Sequence, residues 1–489
     1  MQPTRRDILR YSAAALVAAR AGSAAEAGAE INDVHSQLNA TRVSSVIRPR
    51  SLEELRAAIL RARQEGLRVS VSGSRHSMGG QQFGTGMLLL DMRGFNRVAR
   101  LDWQDQVIEA EAGVEWPELL DGLERLQAGR PEQLGIFQKQ TGADRLTLGG
   151  ALASNVHGRG LTLKPIISNV ESFELMNASG ELIPCSRTRN PELFRLAIGG
   201  YGLFGVVTSM RLRLRPRVKV RRVVKIAELH TIPDAFSERI RDGYLYGDYQ
   251  YATDSSRDSF LRRGVFSCYQ PVDAATPLTK NPTRFNPEDW ARLTRYSHTN
   301  KRLAFDVYSK RYLATSGQIY YHDWQLSAAY QPGYHADLDR LMKAKVKATE
   351  MITEIYVPRS ALVTFMEEAR VLLREHKANV IYGTVRLIEK DDESFLRWAR
   401  ESWACVIFNL HVIHDPAGIE AAARSFRALI DLAIQHGGSY YLTYHRWATK
   451  QQVEACYPQF REFLGLKREY DPGEVFQSDW YVHHKNLLG

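Results

Sequence analysis

The chain contains 489 residues, of which 44% are hydrophobic and 25% are charged, and its formal net charge is +10. This length accommodates two or three domains with large cores, and the residue balance is that of an ordinary globular protein. No run of about 20 apolar residues occurs, so we expect no membrane-spanning helix. The basic residues form neither an arginine stripe nor a nucleic-acid-binding module, so we expect no nucleic-acid partner.

The first 29 residues are typical of a targeting segment rather than of a folded domain. Residues 4–9 read TRRDIL, which is similar to the twin-arginine export signal, and a mildly apolar stretch follows at residues 11–19. Residues 27–29 form a suitable cleavage site. The alternative is a frayed, alanine-rich amphipathic helix. We expect export of the folded protein, with its cofactor already bound, to the periplasm or the cell exterior.

A strand–helix–strand unit is predicted next. Residues 43–47 and 69–72 are strand candidates on either side of one helix. Ser51 and Glu54 form a capping box at the start of that helix, and Gly66 ends it.

Strands and helices continue in mixed order beyond this unit. Residues 87–91 are a short buried-strand candidate, and residues 107–112 alternate between apolar and polar side chains. Pro117 opens a helix that extends to Leu126. This order predicts an α+β domain over residues 30–216.

The stretch VSVSGSRHSMGGQQ at residues 69–82 carries the most informative chemistry. Its strand stops at Gly73 and gives way to a turn rich in glycine and serine, with His76 at the tip. Such a turn can direct several backbone N–H groups at a phosphate, because glycine adopts conformations closed to other residues. The predicted contacts to a phosphate-bearing cofactor are Gly73, Ser74, Arg75, His76, Ser77, Gly79, Gly80 and Gln81.

This loop resembles the pyrophosphate loop of the vanillyl-alcohol-oxidase or PCMH-type flavoproteins, which include sugar-alcohol and aldonolactone oxidases. Three further segments follow in the family's order: LGGALASNVHGRG at residues 148–160, paired strands about a Ser-Gly turn at 171–184, and GGYGLFGVVTSMRLRL at 199–214. The resemblance implies bound FAD. It places the remaining cofactor contacts at Gly142, Leu148, Gly149, Gly150, Ser154, Asn155, His157, Gly158, Gly205 and Val207.

His76 corresponds to the histidine that many family members bond covalently to the 8α-methyl group of FAD. We therefore expect covalent FAD through His76; the alternative is a histidine that only hydrogen-bonds a phosphate. Some relatives carry a second, cysteinyl link, but residues 138–160 contain no cysteine. At most one flavin bond is expected.

A second glycine pattern invites a different interpretation. Gly200, Gly202 and Gly205 match the dinucleotide-binding fingerprint GxGxxG. That fingerprint must follow a strand and open a helix, whereas residues 206–214 alternate like a strand. We therefore expect a tight turn near FAD and no nicotinamide site.

From Lys219 onward, strand-like runs and aromatic residues dominate, as in a half-buried sheet face. Residues 361–376 and 392–402 are predicted to form helices on that sheet. The resemblance implies a cap domain over residues 217–435, and a segment at 436–489 that returns to the FAD domain and walls the active site. The predicted fold is therefore α+β: a PCMH-type FAD-binding domain of two α/β subdomains plus an antiparallel-sheet cap with flanking helices.

Oxidation of an alcohol needs a group that removes the hydroxyl proton or stabilises an alkoxide. Arg386 resembles the arginine of the family's polyol-oxidising branch, although Thr384 stands where that branch has a glutamate. We expect Arg386 to clamp the substrate or an oxyanion. Glu354 resembles a residue that borders the pocket.

Three residues remain as candidates for the base and its surroundings. His411 resembles the substrate-site histidine of the polyol branch. That branch also has a tail lysine, which has no clear counterpart here; Tyr444 and His445 lie nearby. We expect His411 or His445 to act as the base. For each of these catalytic candidates the alternative is a solvated or core-satisfied polar residue.

No metal site is expected. His411 and His414 are three apart on a predicted strand, so their side chains point to opposite faces. The cysteines are not at metal-ligand spacing, and the sequence leaves open whether any two form a disulfide. They are Cys185, Cys268, Cys405 and Cys456.

The sequence thus predicts an FAD-dependent oxidoreductase that oxidises an alcohol, such as a sugar, polyol or aldonolactone, by hydride transfer to flavin N5. Oxygen is the expected electron acceptor. The alternatives are a dehydrogenase that passes electrons to a quinone or cytochrome, and a flavin-free binding protein on the same scaffold. The intact loop from Gly73 to Gly80 argues against the binding protein.

Overall fold

The computed structural model describes residues 26–326 and 333–489, and most of the predicted export signal, including its twin-arginine motif, lies outside the described residues. The described strands are β1 (Glu26–Ala27), β2 (Glu30–Ile31), β3 (Thr41–Arg42), β4 (Ser45–Ile47), β5 (Val69–Ser72), β6 (Leu88–Asp91), β7 (Val98–Asp102), β8 (Val107–Glu111), β9 (Leu134–Ile136), β10 (Val170–Met176), β11 (Leu182–Ser186), β12 (Val206–Pro216), β13 (Lys219–Glu228), β14 (Tyr246–Tyr251), β15 (Arg263–Pro271), β16 (Ile319–Tyr321), β17 (Ala348–Pro358), β18 (Val380–Ile388), β19 (Trp403–Ile413) and β20 (Ser439–Tyr440).

The described α-helices are α1 (Leu52–Gln64), α2 (Trp116–Leu126), α3 (Leu148–Ala153), α4 (Pro191–Ala197), α5 (Ile232–Arg241), α6 (Pro287–Thr299), α7 (Lys301–Leu313), α8 (Tyr334–Met342), α9 (Leu362–Glu375), α10 (Pro416–Gln435), α11 (Lys450–Cys456), α12 (Phe460–Tyr470) and α13 (Asp479–Leu488).

The first sheet contains β1, β4, β6 and β5 in that order. β4 and β5 both run parallel to β6, and α1 is the crossover that such a parallel arrangement requires. Ser51 caps α1 by accepting a hydrogen bond from the Glu54 N–H. The Glu54 carboxylate accepts from the Arg50 N–H rather than from Ser51, so the predicted box is displaced by one residue.

The second sheet has the order β11-β10-β12-β8-β7, and β9 pairs with β12. The hairpin of β10 and β11 turns at Ser179 and Gly180, where φ of 75° at Gly180 suits a glycine, as predicted. β12 begins directly after Gly205. The glycine fingerprint at 200–205 therefore leads into a strand and not into a helix, as predicted.

The third sheet is antiparallel and has the order β16-β13-β15-β14-β18-β19-β17-β20. The helices α9 and α10 pack on it and bury Phe365 and Phe426 completely. Its core is continuous with that of the second sheet, whereas the first sheet and α1 bury a separate cluster. The fold is therefore α+β, with an antiparallel-sheet cap on a mixed domain.

Residues 392–402 form turns instead of the predicted helix. The Asp391 carboxylate accepts hydrogen bonds from the N–H groups of Glu393 at 2.8 Å and Ser394 at 3.0 Å. An aspartate that satisfies nearby backbone donors in this way competes with helix formation. Asn155 donates to the same carboxylate at 2.9 Å and ties the turn to the segment after α3.

The C-terminal segment joins the third sheet to the first. β20 pairs with β17, and the chain later runs beside Val69 in β5. The Val69 N–H donates to the Val475 carbonyl at 2.7 Å, and the Gln477 N–H donates to the Val69 carbonyl at 2.9 Å. All four cysteines are buried and unpaired within the described residues. No helix in that part of the chain is both long and apolar enough to cross a membrane.

Candidate functional site

A cavity of about 570 Å³ lies between the first two sheets and the cap. This volume is within the range of sites that hold small molecules and cofactors. One side is formed by the loop after β5, by α3 with the turn that follows it, and by the turn before β12. The other side is formed by β14, β17 and β18, with α6 and α7.

The glycine-rich loop approaches α3 so closely that Gly73 has no room for a side chain. A Cβ at Gly73 would lie 2.0 Å from Thr147 Oγ1. The other end of the loop is fixed because the Met78 N–H donates to the Thr443 carbonyl at 3.2 Å. The loop is thus held against the cavity by α3 on one side and by the C-terminal segment on the other.

Buried polar atoms without a hydrogen-bond partner line this part of the cavity. Leaving such an atom unpaired costs about 1–3 kcal/mol. Within the described residues they are Ser72 Oγ, Arg75 Nε, Gln82 Oε1 and Thr141 Oγ1. The pyrophosphate and flavin ring of FAD, the cofactor predicted from the sequence, supply anionic, donor and acceptor groups that would pair with them, so the lining fits FAD.

His76 and His35 meet at the tip of the loop. Nδ1 of His76 lies 2.7 Å from Nε2 of His35, so one ring donates to the other. Burial, reinforced by His35, lowers the pKa of His76 to about 3. Burial also lowers the pKa of His35 to about 4, so both rings are neutral at physiological pH. No sequence pattern points to His35, which lies in an irregular segment before β3.

A buried carboxylate, Glu354 on β17, forms the centre of the opposite wall. His157 Nε2 lies 2.8 Å from Glu354 Oε2, and the Tyr444 hydroxyl donates to Oε1 at 2.8 Å. The Tyr356 hydroxyl donates to Oε2 at 3.1 Å. Burial opposes ionisation of Glu354, but His157, Arg386 and the Tyr444 hydrogen bond outweigh it and hold the carboxyl pKa below its ordinary value.

A polar recess lies beside Glu354. Arg386 lines it as predicted, and its Nε has no hydrogen-bond partner among the described residues. Three further buried atoms in the lining are in the same state: Gln250 Oε1, Asn409 Oδ1, and Asp248 Oδ1, which lies 3.7 Å from Arg159 Nη1. None of these three residues was predicted from the sequence, where each is a polar residue within a strand of largely apolar residues. Donors and acceptors mixed in this way suit a ligand with several hydroxyl groups.

Most predicted cofactor residues line the cavity: Gly73, Ser74, Arg75, His76, Ser77, Gln81, Gly142, Gly149, Gly150, Ser154, His157, Gly205 and Val207. The others lie behind the wall. Asn155 accepts from the Ile167 N–H at 3.2 Å, and a Cβ at Gly158 would lie 2.7 Å from the Lys139 carbonyl oxygen. These supporting residues are Gly79, Gly80, Leu148, Asn155 and Gly158.

Of the predicted catalytic residues, Arg386, Glu354 and Tyr444 line the cavity, whereas the two histidines predicted as the base do not. His445 stacks on Phe426 with ring centroids 4.8 Å apart, and burial lowers its pKa to about 3. His411 faces a different carboxylate. Neither of these two rings lines the cavity, and the identity of the base stays a prediction.

Two protein families match this chain. Residues 43–186 match the FAD binding domain family, and residues 326–484 match the D-arabinono-1,4-lactone oxidase family. The first match includes the glycine-rich loop and α3. The second includes Glu354, Arg386 and Tyr444.

Similar proteins align along most of the chain. The L-gulono-1,4-lactone dehydrogenase of Mycobacterium tuberculosis is 23% identical over 441 residues, which is 89% of this chain and 95% of that protein. The L-gulonolactone oxidase of Scyliorhinus torazame is 23% identical over 443 residues, 88% of this chain and 93% of that protein. The decaprenylphosphoryl-beta-D-ribose oxidase of Mycolicibacterium smegmatis is 23% identical over 457 residues, with coverage of 90% and 94%.

Proposed function

Because the chain belongs to the PCMH-type FAD-dependent oxidoreductases that act on CH–OH groups, a family with aldonolactone oxidases, we propose that it oxidises a hydroxyl group of a sugar lactone or a similar polyhydroxylated compound. The observation that carries the proposal is the polar recess. Four buried polar atoms, at Asp248, Gln250, Arg386 and Asn409, face the cavity with no hydrogen-bond partner among the described residues. A substrate with several hydroxyl groups would pair with them.

The chemistry divides between the cofactor and the protein. FAD, when bound, supplies the acceptor for the hydride that leaves the alcohol carbon. The hydroxyl proton must go to a protein group, and we assign that role to ionised Glu354, held in place by His157 and Tyr444. Arg386 binds the substrate oxygen and stabilises the negative charge that develops as the proton leaves.

Replacing Glu354 tests this assignment. The variant Glu354→Gln keeps the shape of the side chain but cannot accept a proton. We expect its kcat to fall about 100- to 10,000-fold, the usual contribution of a general base, with FAD content unchanged. Steady-state turnover on aldonolactones and absorbance of the bound flavin measure the two quantities.

The matched control is Glu401→Gln, which changes an exposed carboxylate of the cap domain. We expect that variant to turn over like the wild-type enzyme. If Glu354→Gln also kept full turnover, Glu354 would not be the proton acceptor.

We also propose that FAD is attached covalently through His76. Burial beside His35 keeps the His76 ring neutral, and only a neutral ring has a free electron pair for bond formation. Attachment joins a ring nitrogen to the 8α carbon. The two hydrogens displaced, one from each partner, leave as two protons and two electrons, which the enzyme's electron acceptor takes up.

The bond is tested on acid-precipitated, washed protein. We expect flavin fluorescence on the denatured wild-type band and none on His76→Ala. Release of all flavin from the wild-type protein would show that FAD is held without a covalent bond.

Two acceptors for the electrons are consistent with the relatives, which are named both as oxidases and as a dehydrogenase. We propose oxygen, with a quinone or cytochrome as the alternative. Hydrogen peroxide formed in step with substrate consumption would support oxygen. Turnover only with an artificial quinone acceptor would exclude it.

We further propose export by the twin-arginine route, supported by the residues TRRDIL at positions 4–9. Cell fractionation tests the route. The variant with Arg5→Lys and Arg6→Lys should remain in the cytoplasm, and equal export of both forms would exclude this signal.

A further inference from the structure

Three imidazole rings surround one buried carboxylate beside the cavity, outside the catalytic group. Glu350 on β17 stands directly opposite His411 on β19 in the strand register, so their side chains emerge side by side on one face. α6 contributes His298 from its last turn, and α8 contributes His335 from its first. Both of these rings and the carboxylate are about 96% buried.

The donor atoms converge on a small volume. His298 Nε2 lies 3.0 Å from Glu350 Oε1, and His411 Nδ1 lies 3.5 Å from the same oxygen. All three atoms lie within 4.8 Å of one another. In a tetrahedral zinc site with ligand distances of about 2.0–2.2 Å, two ligand atoms are about 3.4 Å apart. The observed distances of 3.0 and 3.5 Å lie on either side of that value.

These atoms are close without being hydrogen-bonded. Within the described residues, none of His298 Nε2, His411 Nδ1 and Glu350 Oε1 makes a hydrogen bond of full geometry; their mutual contacts are ion-pair contacts at 3.0 and 3.5 Å. Buried polar groups are normally paired, so three such atoms aimed at one volume indicate a missing common partner.

The second carboxylate oxygen is already engaged. Tyr334 donates a hydrogen bond to Glu350 Oε2, and His335 Nδ1 lies 2.9 Å from it in an ion-pair contact that, like the other two, lacks full hydrogen-bond geometry. Partners that orient a ligating carboxylate in this way are typical of the surroundings of a bound metal ion. They fix the carboxylate with Oε1 directed at the two histidines.

We propose that His298, Glu350 and His411 bind a divalent transition-metal ion of the zinc class. Two neutral imidazoles and one carboxylate form a mixed nitrogen and oxygen donor set, which suits Zn²⁺ better than Ca²⁺ or Mg²⁺. The ion would be the common partner that the three donor atoms lack. His335 contacts the other oxygen of the same carboxylate.

A bound ion would link α6, a helix that lines the cavity, to the cap sheet. Trp290 and Thr294 of α6 and Tyr308 of α7 line the cavity opposite the glycine-rich loop. His298 belongs to α6, whereas Glu350 and His411 belong to the sheet. An ion bound by all three would hold α6 against the sheet, beside the cavity that Glu350 and His335 also line.

The test uses full-length, tag-free protein with its flavin, because a polyhistidine tag would itself bind metal. After incubation with Zn²⁺ and dialysis, elemental analysis should give one zinc per chain for the wild type and almost none for His298→Asn and Glu350→Gln. His414→Asn is the matched control: His414 follows the same strand but bonds Thr349 on the other face, and it should retain the zinc.

Two further readouts do not depend on the variants. Zn²⁺ should raise the Tm of the wild type, and Co²⁺ should give the visible absorption of a four-coordinate site. Equal zinc in wild type and His298→Asn, or a wild-type protein with neither a Tm shift nor Co²⁺ absorption, would overturn the proposal. Unchanged flavin content in the variants shows that they fold.

Discussion

At Gly73, the lack of a side chain determines how closely the cofactor loop can approach α3. A Cβ there would lie 2.0 Å from Thr147 Oγ1 and 3.0 Å from Thr147 Cβ. Thr147 cannot move away easily, because its hydroxyl caps α3 by accepting a hydrogen bond from the Gly150 N–H. A methyl group at Gly73 would therefore displace the loop toward the cavity that FAD must enter.

The variant Gly73→Ala should bind FAD poorly. Overpacking at a fixed contact costs about 1–3 kcal/mol, which corresponds to about 5- to 150-fold weaker binding. Flavin content after desalting measures the loss. Gly465→Ala is the control, since a Cβ at Gly465 meets no atom within 4 Å.

A second substitution separates this clash from a general folding defect. Thr147→Ala removes the hydroxyl, so Gly73→Ala combined with Thr147→Ala should recover part of the flavin. No recovery would mean that Gly73 is needed for another reason, such as backbone conformation.

The glycine-rich loop is easier to predict from the sequence than the rest of the site. Its residues are consecutive, whereas the other contacts join residues that are far apart in the chain. The residues around Gly73 and His76 are consecutive, so their pattern is visible in the sequence. The contact between His35 and His76 joins residues 41 positions apart, and no local pattern marks it. The cluster around Glu350 joins three distant segments, so the expectation of no metal site rested on spacing alone.

Among the elements, the C-terminal segment depends on one buried ion pair. Lys467 in α12 lies 2.6 Å from Asp471, and both side chains are almost fully buried. Asp471 also accepts hydrogen bonds from the Val475 N–H at 3.0 Å and the Phe476 N–H at 2.9 Å. The pair therefore fixes the backbone at Val475 and Phe476, which lie beside β5.

Breaking this pair should destabilise the protein strongly. Asp471→Ala leaves the Lys467 ammonium buried without its partner, which costs about 3–5 kcal/mol. Denaturant unfolding with bound flavin as a second probe measures the change. A loss below 1 kcal/mol would show that water or another group replaces the carboxylate.

A surface pair of the same spacing provides the comparison. Arg61 and Glu65 lie 2.8 Å apart near the end of α1, and both are exposed. Glu65→Ala should change the free energy of unfolding by less than about 1 kcal/mol.

At the same scale, periodicity predicts most of the cap. The predicted helix at 361–376 corresponds to α9, because its apolar spacing is matched by burial on the sheet. The predicted helix at 392–402 is absent because the Asp391 side chain binds the N–H groups that a helix would need. Side-chain competition of this kind is not visible in the hydrophobic pattern.

Over the whole molecule, several histidines are buried in neutral form. Burial lowers the pKa of His322 to about 4, that of His445 to about 3 and that of His484 to about 3. In the unfolded chain the same groups titrate near pH 6.5. Between these values the unfolded state binds more protons than the folded state, so stability is present above pH 6.5 and is lost as the pH falls toward 4.

Acid should therefore destabilise the protein well before its carboxylates are protonated. Each of these histidines contributes up to about 1.4 kcal/mol per pH unit below 6.5. We expect the Tm to fall steadily from pH 6.5 to 4.5 in excess FAD. His445→Gln should flatten that dependence, whereas His230→Gln, at an exposed position, should not. Identical slopes for wild type and His445→Gln would contradict the account.

The bonds of the C-terminal segment also determine when the protein can acquire its flavin. The glycine-rich loop is held at Met78 by Thr443, and the strand that leads into it is paired at Val69 with Val475 and Gln477. The ribosome delivers those partners last, so a nascent chain arrested before residue 443 has every glycine of the loop but lacks the contacts to Thr443, Val475 and Gln477. We therefore expect FAD to bind only after the C-terminal segment has been synthesised. Chains arrested before that point should contain no flavin.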